Sequence, residues 1–244
     1  RKVQDIFKEF ELLHLTNHPC ICKSFGINLQ EPFLSDEEEN TTISIFIEFL
    51  EYSLKNCIEK KFLSNTLKVK IAIEIAFGMA HIHKLGMIHR DLKLENIMLN
   101  SGLEAKIIGF DLVHFDDDIS LTKDAGTFDY MSPEMQNEDE YTNKTDVYSY
   151  GVLLYVIFTG QLPKLKRTDK LNKILPMFPN PSYSISDVCI NLIKKCMSFE
   201  PNDRPSFDEI IEYITINNFA LANEVDPEII NRRYQALQNF NKKH

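Results

Sequence analysis

The chain is short of positive charge. Its 244 residues carry 27 Lys and Arg against 36 Asp and Glu, which leaves a formal net charge of −9. Nucleic acids and anionic membranes both reward clustered Lys and Arg, so this balance argues against either of them as the main partner. The hydrophobic fraction of 43% and the charged fraction of 26% are those of an ordinary globular protein, which excludes disordered and fibrous classes.

Cysteine pairs and long apolar runs are lacking as well. The five cysteines form no Cys-x-x-Cys pair, and an odd number fits poorly with a secreted disulfide framework. The longest apolar stretch, residues 147–159, is too short to span a bilayer. No charged-then-apolar leader opens the chain. We therefore expect buried thiols and a cytoplasmic location, where thiols stay reduced.

Signatures of several enzyme classes are missing too. The chain contains no Gly-x-Ser-x-Gly turn and no His-Glu-x-x-His helix, so a hydrolase or a metalloprotease has no support. No Gly-x-Gly-x-x-Gly loop occurs anywhere in the chain.

The pattern of apolar residues predicts a mixed α+β protein with its strands gathered toward the front. Strands are predicted at 20–27, 43–49, within 87–100 and at 103–108, the last two as antiparallel mates. Helices are predicted at 3–15, 67–85, 147–158, 186–197, 206–216 and 227–240. Two of the helices, 67–85 and 147–158, are apolar on nearly every face and are therefore expected to be buried.

One loop carries a set of chemical groups suited to phosphoryl transfer. Residues 89–96 read His-Arg-Asp-Leu-Lys-Leu-Glu-Asn and lie between the buried helix 67–85 and a short strand. Asp91 could accept a proton from an attacking hydroxyl, and Lys93 could neutralise charge on the moving phosphate. The amide oxygen of Asn96 could ligate Mg²⁺.

Together with five further segments in the same order, this loop resembles the eukaryotic protein kinase family. The segments are Glu9 with Pro19 ten residues later, 47–50, 126–134, 146–151 and 203–205. The resemblance covers nearly the whole chain and is strongest to the serine/threonine-directed, tyrosine-kinase-like branch. It implies an α+β, two-lobe fold, with an incomplete small strand lobe and a large, mainly helical lobe.

The resemblance also implies cofactors, substrates and an ATP site. ATP and Mg²⁺ would be the cofactors, and a protein the substrate or partner. Ile47 is similar to the gatekeeper, and Glu48 and Leu50 to the hinge residues whose backbone receives adenine. Glu9 looks like the glutamate on the regulatory helix that pairs with the ATP-binding lysine.

Further residues resemble the activation segment of the family. Ser120, Thr122, Thr127 and Glu134 fall in this segment, and a Lys93 with Thr127 near it is similar to serine/threonine-directed members. Asp116-Asp117-Asp118 precedes these hydroxyls, and the three carboxylates could imitate a phosphate that pairs with an arginine of the catalytic loop.

The resemblance assigns structural roles to His89, Arg90, Phe110, Asp146 and Arg204. Arg204 would form a buried ion pair with the Glu134 carboxylate, and Asp146 would accept backbone N–H groups of the catalytic loop. The expected division is a partial small lobe at 1–50, a large helical lobe at 51–216 and a helical extension at 217–244.

Two departures from the family pattern bear on activity. The family has Asp-Phe-Gly at the magnesium motif, whereas this chain has Gly109-Phe110-Asp111. Glycine has no ligand atom, and losing about 4 kcal/mol of charge stabilisation would slow transfer roughly a thousandfold. Asp111 could compensate if the segment were extended, because residues i and i+2 of an extended segment point the same way.

The second departure concerns the front of the cleft. No Val-Ala-x-Lys precedes Glu9, and the glycine-rich loop is not found. Either the chain is a fragment of a longer kinase, or the protein has dispensed with half of its nucleotide cleft. We expect a kinase-like domain with weak or no phosphoryl transfer. The alternative is a pseudokinase that acts as a scaffold or regulatory protein-binding module, with the helix at 227–240 as a possible contact surface.

Overall fold

The computed structural model describes residues 3–30, 42–115, 127–137, 140–164 and 185–243. The predictions for Ser120, Thr122 and the aspartates 116–118 lie outside these residues.

One helix and two strands form the small lobe. Helix α1 (Val3–Leu15) packs against an antiparallel pair, β1 (Ser24–Gln30) and β2 (Thr42–Ile47). The first strand begins later than predicted, because residues 20–22 run beside another strand instead. There Ile21 forms a parallel bridge with Ile107, and both side chains are buried.

Residues 52–115, which follow the small lobe, contain the strands of two small sheets. Strands β3 (Tyr52–Ser53), β5 (Ile97–Leu99) and β6 (Ala105–Ile107) form one sheet, and β4 (Met87–Ile88) pairs with β7 (His114–Phe115) in the other. The predicted antiparallel hairpin is confirmed, since β5 pairs with β6 in this way. Its second strand ends two residues before Gly109.

Helices make up most of the rest of the described chain. They are α2 (Leu54–Glu59), α3 (Asn65–Lys84), α4 (Pro133–Gln136), α5 (Lys144–Thr159), α6 (Asp187–Cys196), α7 (Phe207–Ile216) and α8 (Pro227–Asn241). The two helices predicted to be buried, α3 and α5, form the centre of the core. Helix α3 begins at its N-cap Ser64, whose side chain accepts the N–H of Leu67, and the chain leaves it through Gly86 at φ +70°.

The C-terminal helix α8 packs onto its own domain. Its Ile230 and Leu237 side chains are buried, and the helix lies against α3. Pro227 occupies the first turn, and the Asp226 side chain accepts the N–H groups of Glu228 and Ile229.

All five cysteines are free and buried, as predicted. Within the described part of the chain, no helix combines the length and apolar character needed to cross a bilayer.

A buried histidine gives the fold a pH dependence. His18 is 5% exposed, stacks on His81, and accepts the backbone N–H of Cys20 at Nδ1. Burial, and secondarily the neighbouring His81, lowers the pKa of His18 to about 3. The unfolded chain therefore binds a proton near pH 6.5 that the folded chain does not bind, so stability decreases as pH falls between about 6.5 and 3.

We expect this group to remove about 2 kcal/mol of unfolding free energy between pH 7 and pH 5. Urea unfolding at both pH values measures the loss in the wild type and in His18→Gln, which keeps an acceptor for the N–H of Cys20. The variant should lose about 2 kcal/mol less over this range than the wild type. An equal loss in the two proteins would show that another group dominates.

Candidate active site

The predicted catalytic loop lies at one side of a cavity of about 450 Å³. The opposite wall comes from α1 and β2. The cavity is lined by Glu9, Leu13, Cys22, Ile45, Ile47, Asp91, Lys93, Asn96, Ile108, Gly109, Phe110 and Asp111. The structure thus brings Glu9 of the small lobe and Ile47 of β2 to the same cavity as the three predicted catalytic residues.

Asp146, near the start of α5, fixes the backbone of the loop. Its carboxylate accepts the N–H groups of His89 and Arg90, both at 2.8 Å, and lies 2.9 Å from Nε2 of His83. Burial acts to raise the pKa of Asp146, but the contacts with His83 and His89 outweigh it and hold this pKa below its usual value. The two backbone hydrogen bonds are those that the resemblance to kinases implied for Asp146, and Arg90 between them has a left-handed φ of +68°.

The imidazole of His89 ties the loop to the magnesium motif. Its Nε2 lies 3.0 Å from the carbonyl oxygen of Ile108, and its ring meets the ring of Phe110 edge to face at 5.6 Å. Phe110 is buried, so the short turn that carries it is anchored beneath α1.

The Asp91 carboxylate is surrounded by hydrogen-bond donors. Its Oδ2 lies 2.6 Å from Nζ of Lys93 and accepts Nδ2 of Asn96 at 2.9 Å. Its Oδ1 accepts the hydroxyl of Thr127 at 3.0 Å, and Lys93 donates to the same hydroxyl at 2.8 Å. Asp91, Lys93 and Thr127 therefore close a ring of contacts that fixes the carboxylate at the cavity wall.

Asn96 holds the loop from its other end. Its Nδ2 donates to the backbone oxygen of Asp91 at 2.7 Å, and its own backbone oxygen accepts the N–H of Ile108 at 2.9 Å. The amide nitrogen is thus committed to Asp91, and the backbone of Asn96 is tied to the residue that follows β6.

Gly109 packs directly against this carboxamide. Its φ is +81°, in the left-handed region where residues with a Cβ are strained. A Cβ built at position 109 would lie 2.7 Å from Cγ and Nδ2 of Asn96 and 2.8 Å from Oδ1. The Asn96 side chain therefore fills the space that a side chain at position 109 would need.

Compensation by Asp111 would require an extended segment, and the structure does not show one there. Phe110–Leu112 forms a short 3₁₀ helix, because Gly109 turns the chain at its start. The alignment of residues i and i+2 that an extended strand provides therefore does not apply to positions 109 and 111. The exposed Asp111 nevertheless lines the cavity.

The residues at this cavity do not fit the magnesium site of the family. Mg²⁺ prefers near-octahedral oxygen ligation, with one or two carboxylates from the protein. Position 109 offers no carboxylate, and a Cβ there would meet the Asn96 side chain. Of the two residues predicted to ligate the metal, Asp111 lines the cavity from a 3₁₀ turn and Asn96 commits its amide nitrogen to Asp91.

Of the three residues predicted to contact adenine, one lines the cavity and two do not. Ile47 lines the cavity, whereas Glu48 and Leu50 are not among its lining residues. The Glu48 carboxylate accepts the N–H of Lys23 at 2.8 Å and pairs with Lys106 of β6 at 2.9 Å. Their assignment to adenine binding through the backbone stays a prediction.

The ion pair expected between Arg204 and Glu134 is present and buried. The guanidinium makes two contacts with the carboxylate, at 2.6 and 2.8 Å. It also donates to the backbone oxygens of Ser198, Phe199 and Lys144 at 2.8 to 3.0 Å. This pair joins α4, at the end of the activation segment, to the turn before α7.

A second buried charge cluster, which was not predicted from the sequence, joins α3 to α8. Glu74 in α3 is fully buried and contacts Arg233 of α8 at 2.6 Å, with Lys70 at 3.8 Å. Burial raises the pKa of Glu74, although Lys70 and Arg233 oppose the shift. The signal that could have revealed it was a pair of opposite charges four residues apart in a helix predicted to be buried.

Comparison with known proteins places these features in a family. A family model for the protein kinase domain matches residues 1–214. The chain is 32% identical over 222 residues to a probable serine/threonine-protein kinase of Dictyostelium discoideum, an alignment that covers 86% of this chain and 13% of that protein.

Two other relatives come from a plant and a flatworm. The chain is 30% identical over 220 residues to the serine/threonine/tyrosine-protein kinase HT1 of Arabidopsis thaliana, covering 86% of this chain and 54% of that protein. It is 30% identical over 252 residues to fibroblast growth factor receptor 1 of Dugesia japonica, covering 98% of this chain and 29% of the receptor. The chain thus spans from 13% to 54% of the length of these three relatives. Because the family model matches most of the chain, the chain belongs to the protein kinase family.

Proposed function

We propose that this chain transfers a phosphoryl group from ATP to serine or threonine hydroxyls of proteins, at a rate reduced by the altered magnesium motif. The observation that carries the proposal is the ring of contacts among Asp91, Lys93 and Thr127 at the cavity wall. The contact between Lys93 and Thr127 also favours the serine/threonine-directed branch within the family.

The chemistry follows from the geometry of this ring. Phosphoryl transfer depends mainly on positioning and on electrostatic stabilisation, because its transition state is loose and its charge is spread over oxygens. Asp91 would accept the proton of the attacking hydroxyl, and Lys93 would balance the negative charge that develops beside it. Asn96 and Thr127 keep the carboxylate of Asp91 from rotating away.

The reduced rate follows from Gly109. Lost stabilisation of about 4 kcal/mol corresponds to a rate roughly a thousandfold lower than that of an intact site. The ring of Asp91, Lys93 and Thr127 contains no atom of residue 109 and is intact beside Gly109. The proton acceptor of the site is therefore retained, while charge neutralisation at the phosphates is weakened.

A second function, that of a pseudokinase, is favoured by the contact between Gly109 and Asn96. If this packing prevents productive nucleotide binding altogether, the domain would act as a scaffold or regulatory module that binds a protein partner. In that case no variant of the Asp91 ring would alter phosphate transfer.

Transfer of label from γ-³²P-ATP to a mixture of serine- and threonine-containing peptides distinguishes the two functions. Asp91→Asn should lower incorporation at least tenfold, because amide replaces the proton acceptor. Glu95→Gln is the matched control, since it removes an exposed carboxylate of the same loop that does not line the cavity. It should leave incorporation unchanged. Equal incorporation by the wild type and Asp91→Asn would refute the transferase proposal and leave the pseudokinase.

A further inference from the structure

Helix α8 lies outside the residues matched by the kinase family model, which end at 214, yet it makes buried contacts with α3. Its apolar residues Ile230 and Leu237 are each 1% exposed. Tyr234 meets the rings of Phe77 in α3 and Phe219 at 5.8 and 5.6 Å. The helix is therefore an integral part of the helical lobe.

Arg233 of α8 reaches both α3 and the β5–β6 hairpin. Its Nε lies 2.6 Å from Glu74 of α3, and its Nη1 lies 2.8 Å from Glu104, the residue before β6. The other oxygen of Glu74 accepts the N–H of Ala105, the first residue of β6, at 2.9 Å. One guanidinium thus neutralises the buried carboxylate that holds the start of β6.

Strand β6 connects the Glu74–Arg233 contact to the cavity and to the connection after α1. Four residues after Ala105 the chain reaches Gly109 at the cavity wall. Within the strand, Ile107 donates to the backbone oxygen of Cys20, and its own oxygen accepts the N–H of Cys22, both at 2.9 Å. These two hydrogen bonds therefore fix the position of the hairpin relative to the connection after α1.

The end of α8 contacts that same connection. The ring of Phe240 meets His18 edge to face at 5.4 Å, and His18 stacks on His81 of α3 at 5.0 Å. The helix thus contacts both the hairpin and the α1–β1 connection, although neither Arg233 nor Phe240 lines the cavity.

We propose that α8 is a strap that positions the nucleotide cavity without lining it, with Arg233 and Phe240 as its positioning residues. Docking of the strap holds the β5–β6 hairpin and the α1–β1 connection in one arrangement. Loss of Arg233 leaves Glu74 buried without its closest cation, so the carboxylate is protonated more readily and holds the N–H of Ala105 less strongly. The identity of the ligand, a nucleotide, rests on the proposed function. The coupling of α8 to the hairpin and to the α1–β1 connection does not, because it involves only contacts within the protein.

Hydrogen exchange of the full chain tests the coupling without any ligand. Arg233→Met and Phe240→Ala should each speed exchange of the amides of Cys22, Ala105 and Ile107 by roughly tenfold or more, while the amides of α5 keep their rates. Ile229→Ala is the matched control, because this side chain is on the same helix and 46% exposed. Arg233→Lys, which retains a cation for Glu74, should give intermediate rates at Ala105.

Fluorescent mant-ADP binding then measures the consequence for the cavity. Arg233→Met and Phe240→Ala should weaken binding at least threefold, or about 0.7 kcal/mol, relative to Ile229→Ala. Equal acceleration across α5 and the hairpin, or unchanged exchange at the hairpin, would overturn the strap. If hairpin exchange responds as expected and mant-ADP binds none of the proteins, the strap stands and the proposed transferase function fails.

Discussion

Replacing Arg204 by methionine is expected to lower the free energy of unfolding by about 3–5 kcal/mol. The guanidinium is 1% exposed and is the bidentate partner of Glu134, which is itself buried. Methionine fills a similar volume but leaves the carboxylate without its counter-charge. Three backbone oxygens, those of Ser198, Phe199 and Lys144, lose their donor at the same time. The cost therefore comes from desolvated polar groups and not from a cavity.

Chemical denaturation measures this loss, and the chain offers an exposed ion pair as the matched control. Lys55 and Glu95 lie 2.9 Å apart with side chains 45% and 43% exposed. Lys55→Met should cost at most about 1 kcal/mol, because water screens the pair and solvates the remaining charge. A cost for Arg204→Met no larger than that of the control would mean that water reaches the buried pair.

Removing both charges should be less harmful than removing one. The variant Arg204→Met with Glu134→Leu strands no charge, and we expect it to recover about half or more of the stability lost by the single variant. This recovery separates the electrostatic cost from the loss of the backbone contacts. A double variant as unstable as Arg204→Met would assign the whole loss to those backbone oxygens.

The helical lobe could be predicted from the sequence because its signals are local. Helices α3 and α5 are apolar on nearly every face, and the structure buries both. The catalytic loop is recognisable because its functional groups lie within eight residues, so that their proximity needs no knowledge of the tertiary fold. Arg204 and Glu134, 70 residues apart, are paired only through the resemblance to kinases.

Features that depend on distant contacts or on backbone handedness were not predictable in this way. Residues 20–22 alternate too poorly to show that they pair with β6, a partner more than 80 residues away. The buried contact of Glu74 with Arg233 joins positions separated by 159 residues. Around Asp111, nothing in the local sequence pattern indicates that the left-handed φ of Gly109 starts a 3₁₀ turn in place of an extended segment.

The glycine at position 109 changes the packing of the site as well as removing a carboxylate. Gly109 has a left-handed backbone and lies directly against Asn96, and a residue with a Cβ is disfavoured by both features. An aspartate introduced at this position alone would meet the same atoms of Asn96 that a methyl group meets. Restoring the family residue by one substitution should consequently disturb the loop that holds Asp91 before it could add a ligand.

Gly109→Ala isolates this packing, and we expect it to lower the free energy of unfolding by about 3 kcal/mol. Roughly 1 kcal/mol comes from the left-handed conformation and about 2 kcal/mol from the clash with Asn96. Gly86→Ala is the control, because Gly86 has φ +70° but nothing within 4 Å of the place that an added methyl carbon would occupy. It should cost only about 1 kcal/mol.

A double-mutant cycle with Asn96→Ala completes the test by urea denaturation. Shortening Asn96 removes the atoms that the new methyl group meets, so Gly109→Ala in that background should cost about as much as Gly86→Ala. The coupling between positions 96 and 109 should then amount to about 2 kcal/mol. If Gly109→Ala is no more costly than Gly86→Ala in the wild-type background, Asn96 does not pack on Gly109, and a single Gly109→Asp substitution would be free to restore the carboxylate of the family.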